Sequence, residues 1–487
     1  MFLTIRKAES MRILLFLSLS FVAVSAMAVP RFIGAERYGV RPGHELIWRV
    51  PVVGAARVEA VSLPDGVTFD VPRRTLRGCL AEPGTYSVTL KASDTSGSCM
   101  QSFDIVVGET LCFAPPMGWN SWYSFSEAVS QAGMEKMARL LEETGLADAG
   151  WAYVNLDDCW QGERPSGEAL QPNAKFPDMK ALCSAIHARG LKAGIYSTPW
   201  VATYAGFRGG SSDEGEEGAI PLKARSQPGQ LYGSWPGIHR RGKDHAGKFW
   251  HVDIDARQWA EWGFDYVKMD WKPNDVPTTA RIARDLRTSG RDIVLSLSNA
   301  APIAHAEGLS RYAQLWRTTG DIQDTWASIR AIGRAQLKWL PYRSIGHWND
   351  PDILQIGRLG TPNQKNTTFR PSRLTQGEQR YQMTLWCMLS APLFISSDLE
   401  HLSAETRALL MDADLIELDQ KYAAAPILVV TQTPQAFILR KDIGPGKHCV
   451  YGLFNDSDMP QALTLPSGET FVLAPHEAHI HRTIRQD

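Results

Sequence analysis

Asp265-Tyr266-Val267-Lys268-Met269-Asp270-Trp271 is a short apolar run broken by two charges two residues apart. Side chains alternate along a strand, so Lys268 and Asp270 share one face while Val267 and Met269 share the other. Seven further runs of strand character lie on either side of it: PPMGWNSW (115–122), YVNLDDCW (153–160), KAGIYST (192–198), DIVLSLSN (292–299), LWRTTGD (315–321), HWNDPDIL (347–354) and PLFISSDL (392–399). Helical stretches fill the gaps, Met134–Glu143 and Thr279–Leu286 among them. This alternation implies a parallel sheet. Eight strands over about 300 residues is the pattern of a (β/α)8 TIM barrel, an α/β fold.

Nearly every run ends in polar residues: Asn120, Asp157-Asp158, Asp270, Ser298-Asn299, Arg317, Asp321, Asp350 and Asp398. In such barrels the C-terminal strand ends form the active face. Asp, Asn and Ser also make turns and helix caps, which accounts for Asp398 and for Asp350. It does not account for an inward Lys268–Asp270 pair. With that face inward, Lys268 lies deeper and Asp270 sits at the mouth. A neighbouring ammonium lowers a carboxyl pKa, so Asp270 is expected to stay ionised and serve as a nucleophile; a buried structural ion pair is the plainer alternative.

A partner carboxylate able to carry a proton is expected at Asp321, four residues after Arg317 and just past a strand end. Asp324 is its rival, read also as an N-terminal residue of the next helix. Two carboxylates facing one bond are the machinery of glycoside hydrolysis. Asp157 and Asp158 would point to opposite faces of a regular strand, but at a strand end both can bend to the mouth and accept hydrogen bonds from sugar hydroxyls. No His or Cys spacing suits a metal, so no metal and no cofactor is expected.

The flanks read differently. Arg6, Lys7 and Arg12 precede the apolar run Ile13–Leu17, which continues to Val24 and ends at Ala26-Met27-Ala28. Residues 1–28 therefore read as a signal peptide, and the product as exported: periplasmic, cell-surface or secreted. Residues 29–110 carry alternating runs such as Leu46–Val50 and Tyr86–Ala92 between turn clusters, the pattern of an Ig-like β-sandwich. The barrel is expected over 111–416, and 417–487 returns to short strands, a C-terminal antiparallel β domain. The net charge of −1 and the absence of a basic stripe exclude a nucleic-acid footprint, and no later stretch is apolar enough to span a membrane. Seven scattered cysteines form no disulfide framework; Cys79 and Cys99, on neighbouring predicted strands, are the one candidate pair. The oligomeric state is not legible.

Taken in order, PPMGWNSW, LDDCW, LKAGIYS, DIDARQWAEWGFDYVKMD, WRTTGDIQDTW, GHWNDPDIL and LWCMLSAPLFISSDL resemble glycoside hydrolase family 27, over roughly residues 113–420. The resemblance implies a retaining, exo-acting α-galactosidase that removes terminal α-D-galactosyl residues from an oligosaccharide or glycan. It places the nucleophile on Asp270, the acid/base on Asp321, and sugar contacts on Trp122, Asp157, Asp158, Tyr196, Lys268 and Arg317. It assigns O4 and O6 to the paired aspartates, O3 and O4 to Lys268, and O2 to Arg317. His347, Trp348 and Asp350 fall in a motif read as structural.

Four departures stand out. Trp271-Lys272-Pro273 replaces the cysteine that usually follows the nucleophile, and Cys159 lacks the partner seen in animal members. The segment between Tyr196 and Asp253 is long and rich in Gly and charge. In LSLSNAAP, an ungapped alignment puts Ser298 and Ala301 beside the sugar's C2, where α-galactosidases carry Glu and Leu and α-N-acetylgalactosaminidases carry Ser and Ala. Aligning on Pro302 shifts the pair to Ala300 and Ile303. The alternatives are therefore an α-N-acetylgalactosaminidase of the same family, or a catalytically inactive glycan-binding barrel.

Overall fold

A computed structural model describes residues 29–213, 244–360, 368–444 and 448–484. The expected signal peptide at 1–28 lies outside the described residues, as does the middle of the long segment after Tyr196. All eight predicted strands are present and parallel: β1 (Met117–Asn120), β2 (Tyr153–Asn155), β3 (Lys192–Ser197), β4 (Tyr266–Asp270), β5 (Val294–Ser298), β6 (Leu315–Arg317), β7 (Trp348–Asp350) and β8 (Leu393–Ile395). They pair in chain order, with β8 returning beside β1, and Leu354 just past β7 bridges Ile395 of β8. The helices that fill the gaps start on side-chain caps that satisfy free backbone N–H groups. Asp178 accepts from Ala181, Asp275 from Thr278, and Thr375 with Glu378 forms a reciprocal capping box.

The strand period sorts β4 as expected. Val267 and Met269 are fully buried in the layer between sheet and helices. Tyr266 points into the barrel, where its ring meets Tyr153 at 5.8 Å and Phe394 at 5.7 Å, edge-on. Glycine makes room for this plug: a Cβ on Gly118 of β1 would lie 2.6 Å from the Cβ of Tyr153. Above the plug comes Lys268, paired in register with Tyr196, and then Asp270, paired with Ser298. The aromatic layer closes the barrel floor, so any ligand has to enter from the strands' C-terminal ends.

The N-terminal module is a two-sheet sandwich. Arg37–Val40, Ser98–Val107, Gly84–Ser93 and Arg57–Ser62 form one sheet; Glu45–Arg49, Thr75–Cys79 and Val67–Asp70 form the other. Cys79 and Cys99 thus lie on different sheets, and both are free thiols, so the candidate disulfide is absent. The neighbouring runs in sequence belong to opposite layers, which a sandwich permits and a single meander does not.

This module sits on the strands' N-terminal ends, opposite the pocket mouth. Lys192, which opens β3, donates to the Tyr38 hydroxyl; Arg291 joins Glu45 at 2.7 Å; Arg41 and His44 meet Asp292 at 3.2 and 2.8 Å. Buried Arg49 forks onto Asp148 and donates to the Arg189 carbonyl.

At the other end, helix Ala413–Gln420 runs across the expected junction at 416/417, and the first C-terminal strand begins at Ile427. Ile427–Gln432, Ala436–Asp442, His448–Asn455 and Ala478–Ile484 form an antiparallel sheet whose Phe437, Leu439, Val450 and Phe454 join the barrel's hydrophobic core. Among the described residues no helix is long and apolar enough to cross a membrane.

Candidate active site

A pocket of about 380 Å³ opens at the strands' C-terminal ends. It is lined by Trp122, Asp157, Asp158, Tyr196, Lys268, Asp270, Arg317 and Asp321, eight of the nine expected site residues, together with Tyr123, Tyr204, Asn299, Asp352 and Ile353. Residues from seven separate chain segments meet there because each strand ends at the same level of the barrel. Ser298 is the exception. It is buried beside Asp270, its carbonyl accepting from Asn274 at 3.1 Å, and does not line the pocket. β5 ends at Ser298, and Asn299 and Ala300 both take left-handed backbone conformations (φ +79 and +73), which turns Asn299 into the pocket instead.

Asp270 is held at one oxygen only. Tyr196 donates its hydroxyl to Oδ2 at 2.9 Å, while buried Oδ1 has no hydrogen-bond partner among the described residues. Burial pushes the carboxyl up to about 6, against Lys268 and Tyr196, which favour the anion, and with nearby Asp321 and Asp157, which oppose it. The expectation that Lys268 would hold Asp270 low is thereby corrected. The ammonium is committed elsewhere: Lys268 donates to Asp157 Oδ2 at 2.9 Å. Burial works against its charge, but Asp157 and Asp270 together keep it protonated.

Asp157 and Asp158 both turn inward because β2 ends at Asn155 and Cys159 adopts φ +84. Asn120 from β1 donates to the same Asp157 oxygen at 2.8 Å, and Ser121 Oγ accepts from its backbone N–H. Asp158 is completely enclosed; burial raises it to about 7, although the amides of Ala205 and Cys159 and the Thr203 side chain stabilise its anion.

Across the pocket, buried Arg317 carries two carboxylates. It meets Asp352 Oδ2 at 2.6 Å and Asp321 Oδ1 at 3.3 Å. Asp321 is half exposed, at 49%, so one carboxyl group stands at the solvent edge of a pocket whose other acids are buried. Burial raises Asp352 to about 6, with Arg317 pulling it down. Asp324, the rival, is placed differently. It lies outside the pocket and is bound by Arg370 at 2.5 Å and Arg373 at 2.7 Å, which outweigh burial and take it down to about 2.

Asp350 stays structural, accepting from the Asp352 amide. Asp352 itself escaped sequence reading: it follows a strand end by two residues in HWNDPDIL, and its φ of +86 was the feature that could not be read. Among the described residues, Asp398, Glu400 and His401 bring three potential metal-ligand atoms within 4.8 Å of one another. None of them lines the pocket, and Asp398 is already engaged by His401 at 2.9 Å and Arg358 at 3.6 Å.

Four buried acids, a lysine and an arginine-held acid at the rim thus converge on one pocket. The alpha galactosidase A family profile matches residues 114–219 and 237–421. The chain belongs to this family of glycoside hydrolases. An Ig domain profile matches residues 52–108. The rice α-galactosidase is 30% identical over 328 residues, 66% of this chain and 66% of that protein. The chicken α-N-acetylgalactosaminidase is 30% identical over 341 residues, 64% of this chain and 71% of its own. In three dimensions, a Bacteroides fragilis protein assigned as an α-galactosidase superposes with a TM-score of 0.78 at 25% identity, covering 94% of this chain and 98% of the other. These two relatives align with about two thirds of the chain, whereas that structure extends over nearly the whole of it.

Proposed function

We propose that the chain is a retaining, exo-acting α-galactosidase, with Asp270 as nucleophile and Asp321 as acid/base. The observation that carries this reading is the asymmetry of the two carboxyls in one small closed-bottomed pocket. Asp270 offers a buried oxygen with no hydrogen-bond partner among the described residues, while Asp321 stands at the rim beside Arg317. A buried carboxylate with a free oxygen suits attack on an anomeric carbon, and a solvent-edge carboxyl suits proton transfer to a leaving oxygen and then from water. Tyr196 fixes the attacking group's orientation. Asn120 and Lys268 fix Asp157, whose second oxygen is held by the Asp158 amide, so the acceptors for sugar hydroxyls are set before substrate arrives.

A second reading, α-N-acetylgalactosaminidase, is favoured by one observation. β5 delivers only Asn299 to the pocket wall, and its neighbours Ser298, Ala300 and Ala301 are small. Hydrolysis of a panel of p-nitrophenyl α-glycosides, with the anomer of the first product read by NMR, tests both. Turnover of the α-galactoside with an α-product is expected. Exclusive use of the N-acetylgalactosaminide would select the second reading, a β-product would remove retention, and no turnover would leave a glycan-binding barrel. Export rests on the N-terminal basic-apolar run, and N-terminal sequencing of the mature protein near Val29 checks it.

A further inference from the structure

Asp321 stands on a short loop whose far end is gripped by the C-terminal β domain. The loop runs from β6 to Trp326, the first residue of helix Trp326–Gln336. Its middle is held from the barrel side: the Ile322 amide donates to Asp352 at 2.8 Å, and Asp324 accepts from the Arg373 amide at 2.9 Å. Two residues after Arg373, Thr375 and Glu378 cap helix Gln376–Leu389, and Glu378 spends Oε2 on that cap. Its Oε1 meets His476 Nδ1 at 2.8 Å. His476 comes from the turn between strands Thr470–Leu473 and Ala478–Ile484. Its ring lies flat on the Trp326 indole, with 4.0 Å between centroids and 22° between planes, and its Nε2 meets Asp458 at 3.0 Å. Tyr381 of helix Gln376–Leu389 backs Trp326 edge-on at 4.9 Å.

The turn that delivers this ring is tied down. His476 takes a left-handed φ of +57, and Asn455 donates to the Ala474 carbonyl at 2.8 Å and, through its amide, to the Glu477 carbonyl at 2.9 Å. Further along the helix that follows Asp321, Arg334 forks onto Asp456 at 2.5 and 2.8 Å, so the domain holds that helix in its first and third turns. One imidazole thus touches the starts of two helices, one after the Asp321 loop and one after the loop that binds Asp324. Asp321 is half exposed, so the ends of its loop, more than packing around its side chain, set where the carboxyl stands. We infer that His476 is a positioning residue for Asp321: stacked on Trp326 and tied to Glu378, it fixes the far end of the acid/base loop from the C-terminal domain. Proton transfer requires the acid to sit within hydrogen-bond reach of the leaving oxygen, and a loop free to shift loses that reach. This rests on the reading of Asp321 as acid/base.

The test compares two substrates on the full chain: p-nitrophenyl α-galactoside, whose leaving group needs no proton, and an α-galactosyl disaccharide, whose leaving group does. His476→Asn removes the ring and leaves a residue that tolerates a positive φ. It is expected to lower kcat/KM roughly tenfold on the disaccharide and less than about twofold on the p-nitrophenyl substrate. It should also raise hydrogen–deuterium exchange in the peptide covering 320–328. Damage that merely lowered the folded fraction would scale both substrates together and overturn the proposal, as would unchanged exchange. Added to Asp321→Ala, His476→Asn should cost nothing further on the disaccharide, and an additive loss would also overturn it. His481→Ala, which disturbs contacts with Glu469 and Phe471 inside the C-terminal domain, should leave both substrates unaffected. The same split in that variant would make the effect a property of the domain and not of His476. Should His476→Asn fail to fold, Trp326→Leu is expected to show the split, and its absence there would overturn the proposal. If Asp321→Ala itself shows no dependence on the leaving group, the acid/base reading falls, and the exchange measurement alone decides whether His476 holds the loop.

Discussion

Tyr196 donates its hydroxyl to Asp270 Oδ2 at 2.9 Å, and among the described residues no group bonds Asp270 Oδ1. The two residues lie on adjacent strands, β3 and β4, with Tyr196 registered against Lys268, two residues before Asp270. This bond favours the anion that burial disfavours. With the carboxyl near 6, the reactive form is lost as pH falls through about 6, so kcat/KM should drop tenfold per unit below that point. Tyr196→Phe removes the donor and should move this acid limb to higher pH. A limb that stays in place in the variant, measured as kcat/KM from pH 4 to 8, would show that another group controls it.

Asp270→Asn should abolish turnover and at the same time stabilise the fold. The carboxyl is raised from 3.8 to about 6 in the folded protein, so the folded state binds more protons than the unfolded one between those values. Stability therefore falls as pH rises through that window, and above it the burial cost is complete, about 3 kcal/mol at 1.36 kcal/mol per unit. The variant carries no such cost. Its Tm should exceed the wild type's at pH 7 and match it near pH 3.5. Equal Tm values at both pH values would contradict the burial argument.

Asp321→Ala should be severely slowed on galactosides with poor leaving groups and far less on p-nitrophenyl substrates, because a nitrophenolate departs without a proton. Asp324→Ala serves as the control. It lies outside the pocket, so it should keep turnover while losing Tm at pH 7, with the loss closing as pH falls from 4 toward 2 and Asp324 surrenders its charge. Equal damage by both variants on every substrate would remove Asp321 from its assigned role.

Asp292→Ala should lower Tm and leave kcat and KM unchanged. Asp292 precedes β5 at the closed end of the barrel and binds Arg41 and His44 of the sandwich module, so its loss removes the bonds of both to the barrel end. A change in KM would mean that the module communicates with the pocket at the opposite end.

Much of this protein is set by local pattern. The eight strand segments, the inward Lys268–Asp270 pair and the polar strand ends all follow from a period of two and from the rule that barrel function lies at C-terminal strand ends. What sequence could not decide were properties that depend on chain segments far apart. Lys268 neutralises Asp157 more directly than Asp270 because residues 111 positions apart meet at 2.9 Å, and burial then sets the carboxyl's pKa. Asn299 rather than Ser298 reaches the pocket because two consecutive left-handed residues turn the chain after β5. Asp352 and Tyr204 enter the site through a positive φ and through a loop after β3 whose Gly209 carbonyl Arg164 holds, neither of which leaves a periodic signature. Periodicity is local and so is written in the sequence; desolvation, loop-held side chains and charge sharing are sums over distant neighbours, and only the folded chain brings those together.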